Sequence, residues 1–232
     1  MTSKTDMTAV LVHGAWADGS GWREVMAPLR AAGLAVVAAP LPLTSLKDDV
    51  AALERTLARV AGPVVLVGHA YAGAVIGEAN SENVRALVYV AALAPDDGET
   101  VADVFHRNEP HPQAPQLAPD DHGWIWLPHE AFASAFAQNA SLGDREWLAA
   151  VQRPIAVPCI STPVGRPRWK DIPSWYLLAE DDRMIPKQTQ AFMAGRMGAT
   201  LVSHAMDHTP GVTAPQAVVD IIVAAASAAQ GG

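Results

Sequence analysis

A single cysteine, Cys159, occurs in the 232 residues, so no intramolecular disulfide can form. That scarcity fits a reducing compartment. Charge is sparse as well: 17% of residues are charged, and 16 basic against 24 acidic side chains leave a formal charge of −8. No Lys/Arg cluster breaks this acidity, which excludes the basic face that nucleic-acid phosphates require. No hydrophobic run reaches the roughly 20 residues needed to span a bilayer. The most apolar stretch, Ala217 to Ala229, is shorter and carries Asp220. Met1 to Met7 is polar and lacks the apolar segment of a signal peptide. A soluble, cytoplasmic protein with no membrane or nucleic-acid partner is expected. The 17 Gly and 18 Pro are scattered singly, which excludes collagen-like and low-complexity chain.

What is present is apolar. Half of the chain (50%) is hydrophobic, enough at this length to bury a core and to exclude disorder as the main state. Thr8 to Val12 (TAVLV) reads as a strand stopped at His13-Gly14, and Leu34 to Ala38 (LAVVA) as a second buried strand stopped by Pro40. Val64 to Val67 and Val84 to Val90 are a third and a fourth, and Trp175 to Leu178 and Thr200 to Val202 two later ones. Helices are expected between them. Trp22 to Ala32 carries Trp22, Val25, Met26 and Leu29 on one face, with Gly33 at the C-cap position. Ser45 to Val60 repeats Leu46, Val50, Leu53, Leu57 and Val60 at helical spacing, and Ser45 with Asp48 resembles a capping box. Tyr71 to Ala79, Pro186 to Met197 (Pro186 in its first position) and about Pro215 to Ala228 complete the set. Apolar strands alternating with helices imply a parallel sheet covered on both faces. From about Gly98 to Pro173 the strand pattern vanishes. Ala131 to Asn139 and Asp144 to Gln152 look helical there, and the stretch reads as a cap inserted over the sheet.

The chemistry concentrates where the third strand runs into Gly68-His69-Ala70-Tyr71-Ala72-Gly73 and a helix follows. Strand, sharp turn and helix form the setting of a nucleophile elbow, G-x-S-x-G, which thrusts its middle residue out at the carboxyl end of the sheet. Here that residue is Ala70, so the attacking oxygen is missing, and Ala72 stands at the second glycine. The remaining parts follow in hydrolase order: an acid loop at Glu180-Asp181-Asp182 after a strand, then Asp207-His208 after the last strand. Positions 70, 182 and 208 would be nucleophile, acid and base. His13-Gly14-Ala15-Trp16 follows the first strand, and its N–H groups, with that of Tyr71, could hold an oxyanion.

These pieces resemble the α/β-hydrolase superfamily, and within it the small bacterial esterase-like members and the branch of plant methylesterases and hydroxynitrile lyases. The resemblance rests on HGAWADGSGW (His13 to Trp22), PLTSLKDDV (Pro42 to Val50), GPVVLVGHAYAGAVI (Gly62 to Ile76), LVYVAALAPDDGE (Leu87 to Glu99), IPSWYLLAEDDRMIP (Ile172 to Pro186) and the Asp207-His208 pair, spread over nearly the whole chain. It implies one α/β-hydrolase domain over residues 1–232, with the cap at about 98–173. It places the acid on Asp182 rather than Asp181, the base on His208, the oxyanion N–H groups on Ala15 and Tyr71, and the absent serine on Ala70. The implied parent activity is hydrolysis of a small carboxylic ester or lactone, without cofactor or metal.

Ala70 admits three readings: a serine replaced by alanine in an engineered, inactive variant that still binds substrate; a non-covalent lyase or cofactor-free oxygenase working through His208 and Asp182; or a ligand-binding protein. The intact acid and base favour the first. His204 is the local rival for the base and Asp96, after the fourth strand, a minor rival for the acid. His13 and His69 read as buried histidines bonded to loop backbone. His106, His111, His122 and His129, with Glu109, Asp120 and Asp121, match no zinc spacing and read as a solvated loop. Trp16, beside the oxyanion turn, is the best substrate contact. Trp124, Trp126 and Phe132 in the cap could line an apolar pocket or pack as core. Cys159 reads as an inert buried thiol.

Overall fold

In a computed structural model of the protein, residues 7–231 are described. The reading of Met1 to Met7 therefore lies, apart from Met7, outside the described residues. Six parallel strands form the central sheet: β1 (Thr8–Val12), β2 (Ala35–Ala39), β3 (Val64–His69), β4 (Val84–Val90), β7 (Ser174–Ala179) and β8 (Thr200–His204), in the order β2-β1-β3-β4-β7-β8. Parallel neighbours need crossovers, and helices supply them on both faces.

Strand alternation divides the core in two. Val10, Val12, Leu66, Leu87 and Tyr89 face one helical layer, with α2 (Leu46–Leu57) and α3 (Ala72–Glu78). Leu11, Val65, Val67, Val88 and Val90 face the other, with α1 (Arg23–Ala31) and α8 (Pro215–Gly231). The helices bury the stripes their spacing dictates: Val25 and Leu29 in α1, and Leu46, Leu53 and Leu57 in α2, each such side chain contributing about 1.5–3 kcal/mol. Ser45 caps α2 by accepting from the Asp48 N–H at 3.1 Å. Its hydroxyl, rather than its backbone N–H, meets the Asp48 carboxylate, so the reciprocal half of a capping box is absent.

Two strands depart from the sequence expectation. β2 is an edge strand with only Ala39 fully buried, and β8, at the opposite edge, is mostly exposed. Pro186 sits at the N-cap of α7 (Lys187–Arg196) in extended backbone rather than inside its first turn. Between β4 and β7 lie α4 (Val101–Phe105), a two-stranded antiparallel pair of β5 (Trp124–Ile125) and β6 (Ile155–Ala156), α5 (Leu142–Val151) and α6 (Val157–Ser161). Phe132–Phe136 forms a π-helical turn, closed by the Ala137 N–H donating to the Phe132 carbonyl at 3.0 Å. Among the described residues no helix is long and apolar enough to cross a membrane.

Candidate active site

Because the sheet is parallel, the carboxyl ends of β1, β3, β7 and β8 deliver their loops to one edge. The loop after β3 turns at Ala70, whose φ of 50° is left-handed. An L-residue pays roughly 1–2 kcal/mol for that conformation, so the turn is strained where it presents the residue-70 side chain. Its neighbours must be small. A Cβ on Gly68 would lie 2.8 Å from the Ala72 carbonyl oxygen, one on Gly14 would lie 2.9 Å from that of His69, and one on Gly73 would collide with the Leu93 carbonyl. The Ala70 carbonyl accepts from Leu93 at 2.9 Å and from Gly73 at 3.1 Å, which ties the turn to the chain leaving β4.

Asp182 and His208 meet at this edge, both buried. The Nδ1–H of His208 donates to Asp182 Oδ2 at 2.8 Å. That carboxylate is held from all sides: Oδ1 accepts from the Met184 and Ile185 N–H groups at 2.8 and 2.9 Å, and Oδ2 also accepts from Gln190 Nε2 at 3.0 Å. With Nδ1 committed, Nε2 is the basic atom left to the cavity that Ala70 and His208 both line. Ala15 and Tyr71 line it too, and among the described residues neither of their backbone N–H groups has an acceptor.

Two further histidines hold backbone. His13 donates from Nδ1 to the Gly14 carbonyl at 2.9 Å and accepts at Nε2 from the Leu41 N–H at 3.0 Å, so it is the neutral Nδ1–H tautomer. Burial lowers its pKa to about 4. His69 donates from Nε2 to the His208 carbonyl at 2.6 Å, and burial, reinforced by the neighbouring His208, lowers its pKa to about 3.

The model of the alpha/beta hydrolase family matches residues 9–221. The chain belongs to that family. An alpha/beta hydrolase nvfD of Aspergillus novofumigatus is 26% identical over 204 residues, 81% of each chain. A carbendazim hydrolyzing esterase of a Nocardioides species is 34% identical over 116 residues, 44% of this chain and 48% of its own. The crystal structure of polyneuridine aldehyde esterase superposes with a TM-score of 0.83 at 19% identity, covering 94% of this chain and 98% of that one, which shows a shared fold.

This alpha/beta hydrolase keeps several other candidates out of the cavity lining. His204 is exposed on β8, and Asp96 pairs with Lys170 at the surface. Asp181 gives its carbonyl to Gln138 at 2.8 Å. Among the described residues no group of three or more His, Cys, Asp or Glu could hold a metal ion, so His106, His111, His122 and His129 form no such cluster.

Of the four expected substrate contacts, only Trp16 lines the cavity. Its indole N–H donates to the Ile125 carbonyl at 2.9 Å. Trp124, Trp126 and Phe132 do not line it, and strand alternation explains the tryptophans. Ile125 lines the cavity opposite its partner Ile155, so Trp124 and Trp126 are turned away, and Trp126 is 51% exposed. Phe132 is buried behind Phe136, whose ring lies 5.3 Å from that of His208.

A buried polar cluster escaped the sequence reading. Asp49, fully buried in the first turn of α2, accepts from the Tyr71 hydroxyl and the Leu43 N–H, each at 2.7 Å, and from the Cys159 thiol at 3.6 Å. Burial raises the Asp49 carboxyl and pushes the thiol up to about 12, so Cys159 is no nucleophile at neutral pH.

Proposed function

We propose that this chain carries the site of a serine-hydrolase-type carboxylic-ester or lactone hydrolase in which Ala70 stands where the nucleophilic serine belongs. The observation that carries the reading is the left-handed backbone of Ala70, set beside a buried Asp182–His208 pair. A methyl group gains nothing from so costly a pose; a hydroxyl would be thrust at the substrate by it. The family membership supports hydrolysis, and the relative named as a carbendazim hydrolyzing esterase supports esters.

With serine at position 70, His208 Nε2 takes the hydroxyl proton as the oxygen attacks the carbonyl. The Ala15 and Tyr71 N–H groups hold the oxyanion and Asp182 fixes the histidine tautomer; His208 gives its proton to the departing alkoxide as the ester C–O bond breaks, and, neutral again, activates the water that releases the acyl group. Residues about 98–173 act as the cap of a single domain. The substrate is a small molecule with an apolar or aromatic part, no cofactor is needed, and the protein is cytoplasmic. Ala70 is a serine-to-alanine replacement in an otherwise complete site, so the chain binds ester and turns it over slowly, retaining about 10³–10⁴ over water.

The test is Ala70→Ser, assayed beside the unaltered chain on short and aromatic esters and lactones with burst-phase detection. Activity in the serine form over a near-background alanine form supports the reading; two inert proteins overturn it. A second reading has one observation in its favour: the Asp182–His208 pair and its cavity are complete without a nucleophile. His208 would then act as a non-covalent base in a lyase or cofactor-free oxygenase, or the cavity would only bind ligand. Turnover by the unaltered chain with a single basic pH limb and no acyl-enzyme marks the former, tight binding without turnover in either form the latter.

A further inference from the structure

Two chambers of different size adjoin at the candidate site, sharing four lining residues. The inner one, about 120 Å³, holds Ala70 and His208 and is walled by Leu93, Val101, Ile125, Ile155, Ile160 and Ile185. No Asp, Glu, Lys or Arg lines it among the described residues. Two polar side chains that reach it are already committed, Tyr71 through its hydroxyl to Asp49 and Trp16 through its indole to the Ile125 carbonyl. The outer chamber, about 320 Å³, lies under the strap that carries Asn108, Pro110, His111, Pro112, Pro115 and Gln116. It too lacks Asp, Glu, Lys and Arg among its described lining residues, and His106 and His111 are its ionisable ones. Phe105, His106, Leu117 and Met184 line both chambers and form the wall between them.

Size and charge then select the ligand. An apolar cavity of about 150 Å³ takes up one benzene ring, so the inner chamber has room for about one ring and not for two fused ones. A cationic group in either chamber would lose hydration with no lining carboxylate to replace it, the histidines there being His106, His111 and His208. The prolines of the strap fix φ and remove N–H donors from the outer wall.

We infer that the site takes an ester with no cationic group and with unequal halves: a compact apolar half of at most about one ring in the inner chamber, and a bulkier half that passes the Phe105–His106–Leu117–Met184 wall into the outer one. The inference rests on the ester-hydrolase reading, since it seats the scissile carbonyl beside Ala70.

The unaltered chain suits the test because it leaves esters largely intact. Equilibrium dialysis compares 1-naphthyl benzoate with 1-naphthyl 1-naphthoate, and 3,3-dimethylbutyl benzoate with its cationic isostere benzoylcholine. The first of each pair is expected to bind roughly tenfold tighter or more, because the second overfills the inner chamber or buries an unpaired charge. Leu117→Ala, which widens the shared wall, is expected to shrink the first ratio and leave the second. Equal affinity within either pair, or no binding by any of the four, overturns the inference. Ala70→Ser separates the two claims: if it fails to cleave an ester that binds with the expected selectivity, ester hydrolysis falls and the size and charge selection stands.

Discussion

His69 donates its Nε2–H to the main-chain carbonyl of His208 across 2.6 Å, and the two imidazole rings lie 4.9 Å apart. The residue before Ala70 thus holds the loop that bears His208. Burial, reinforced by the neighbouring His208, keeps His69 neutral there.

Stability should therefore depend on pH in a definite direction. An unfolded histidine protonates near pH 6.5, whereas His69 and His13 do so only near 3 and 4. Across that window the unfolded state binds more protons, so stability falls as pH drops from about 6.5 towards 4, by at most about 1.4 kcal/mol per pH unit for each histidine. Asp49, whose pKa is raised by burial, acts with the opposite sign but is one group against two. Urea midpoints at pH 7, 6 and 5 should decline, and His13→Asn should flatten the decline; a midpoint constant with pH contradicts this account.

In the Ala70→Ser background, Asp182→Asn should lower kcat by about 10⁴, because the amide leaves the His208 tautomer unspecified. Thermal unfolding of the same variant reports separately on the Met184 and Ile185 N–H groups that Asp182 also holds. Loss of kcat with retained melting temperature places the effect in proton transfer.

Backbone strain at the elbow gives an opposite pair of outcomes. Ala70→Gly should stabilise the chain by about 1 kcal/mol, or about 2–4 °C in Tm, since glycine accepts positive φ without the Cβ penalty. Gly73→Ala should destabilise by about 1–3 kcal/mol or more, because its methyl meets the Leu93 carbonyl. Calorimetry on both variants checks the signs.

The Asp49 cluster should protect its thiol. Cys159 is fully buried and its thiol is held up at about 12, so a disulfide reagent at pH 8 should label it only as fast as the protein unfolds. Tyr71→Phe, which withdraws one donor from the buried carboxylate, should cost about 1–3 kcal/mol and accelerate labelling.

Much of the fold was legible because apolar runs and glycine turns encode it locally. β1 and β4 occupy the ranges their sequences suggest, and the small residues around position 70 mark the elbow. Edge position was not legible: LAVVA and TAVLV are alike in composition, yet β2 borders solvent and β1 lies between two strands. Between β4 and β7, only pairing with β6 decides that Ile125 rather than its tryptophan neighbours faces the cavity. Asp49 was missed because an aspartate in the first turn of a helix is ordinarily a solvated partner of the helix dipole. Phe136 was missed because Phe132, four residues earlier, carries the same signal.

The sheet order has a consequence for how the protein is made. Ala15, Ala70, Asp182 and His208 follow β1, β3, β7 and β8, and every neighbouring pair in the sheet is parallel. Each pairing must close a long stretch of chain before it yields any stabilisation. His208 follows β8, so a ribosome-bound chain truncated before β8 would hold the turn at Ala70 without it. The Asp182–His208 pair is assembled only once β8 and the loop after it have been made.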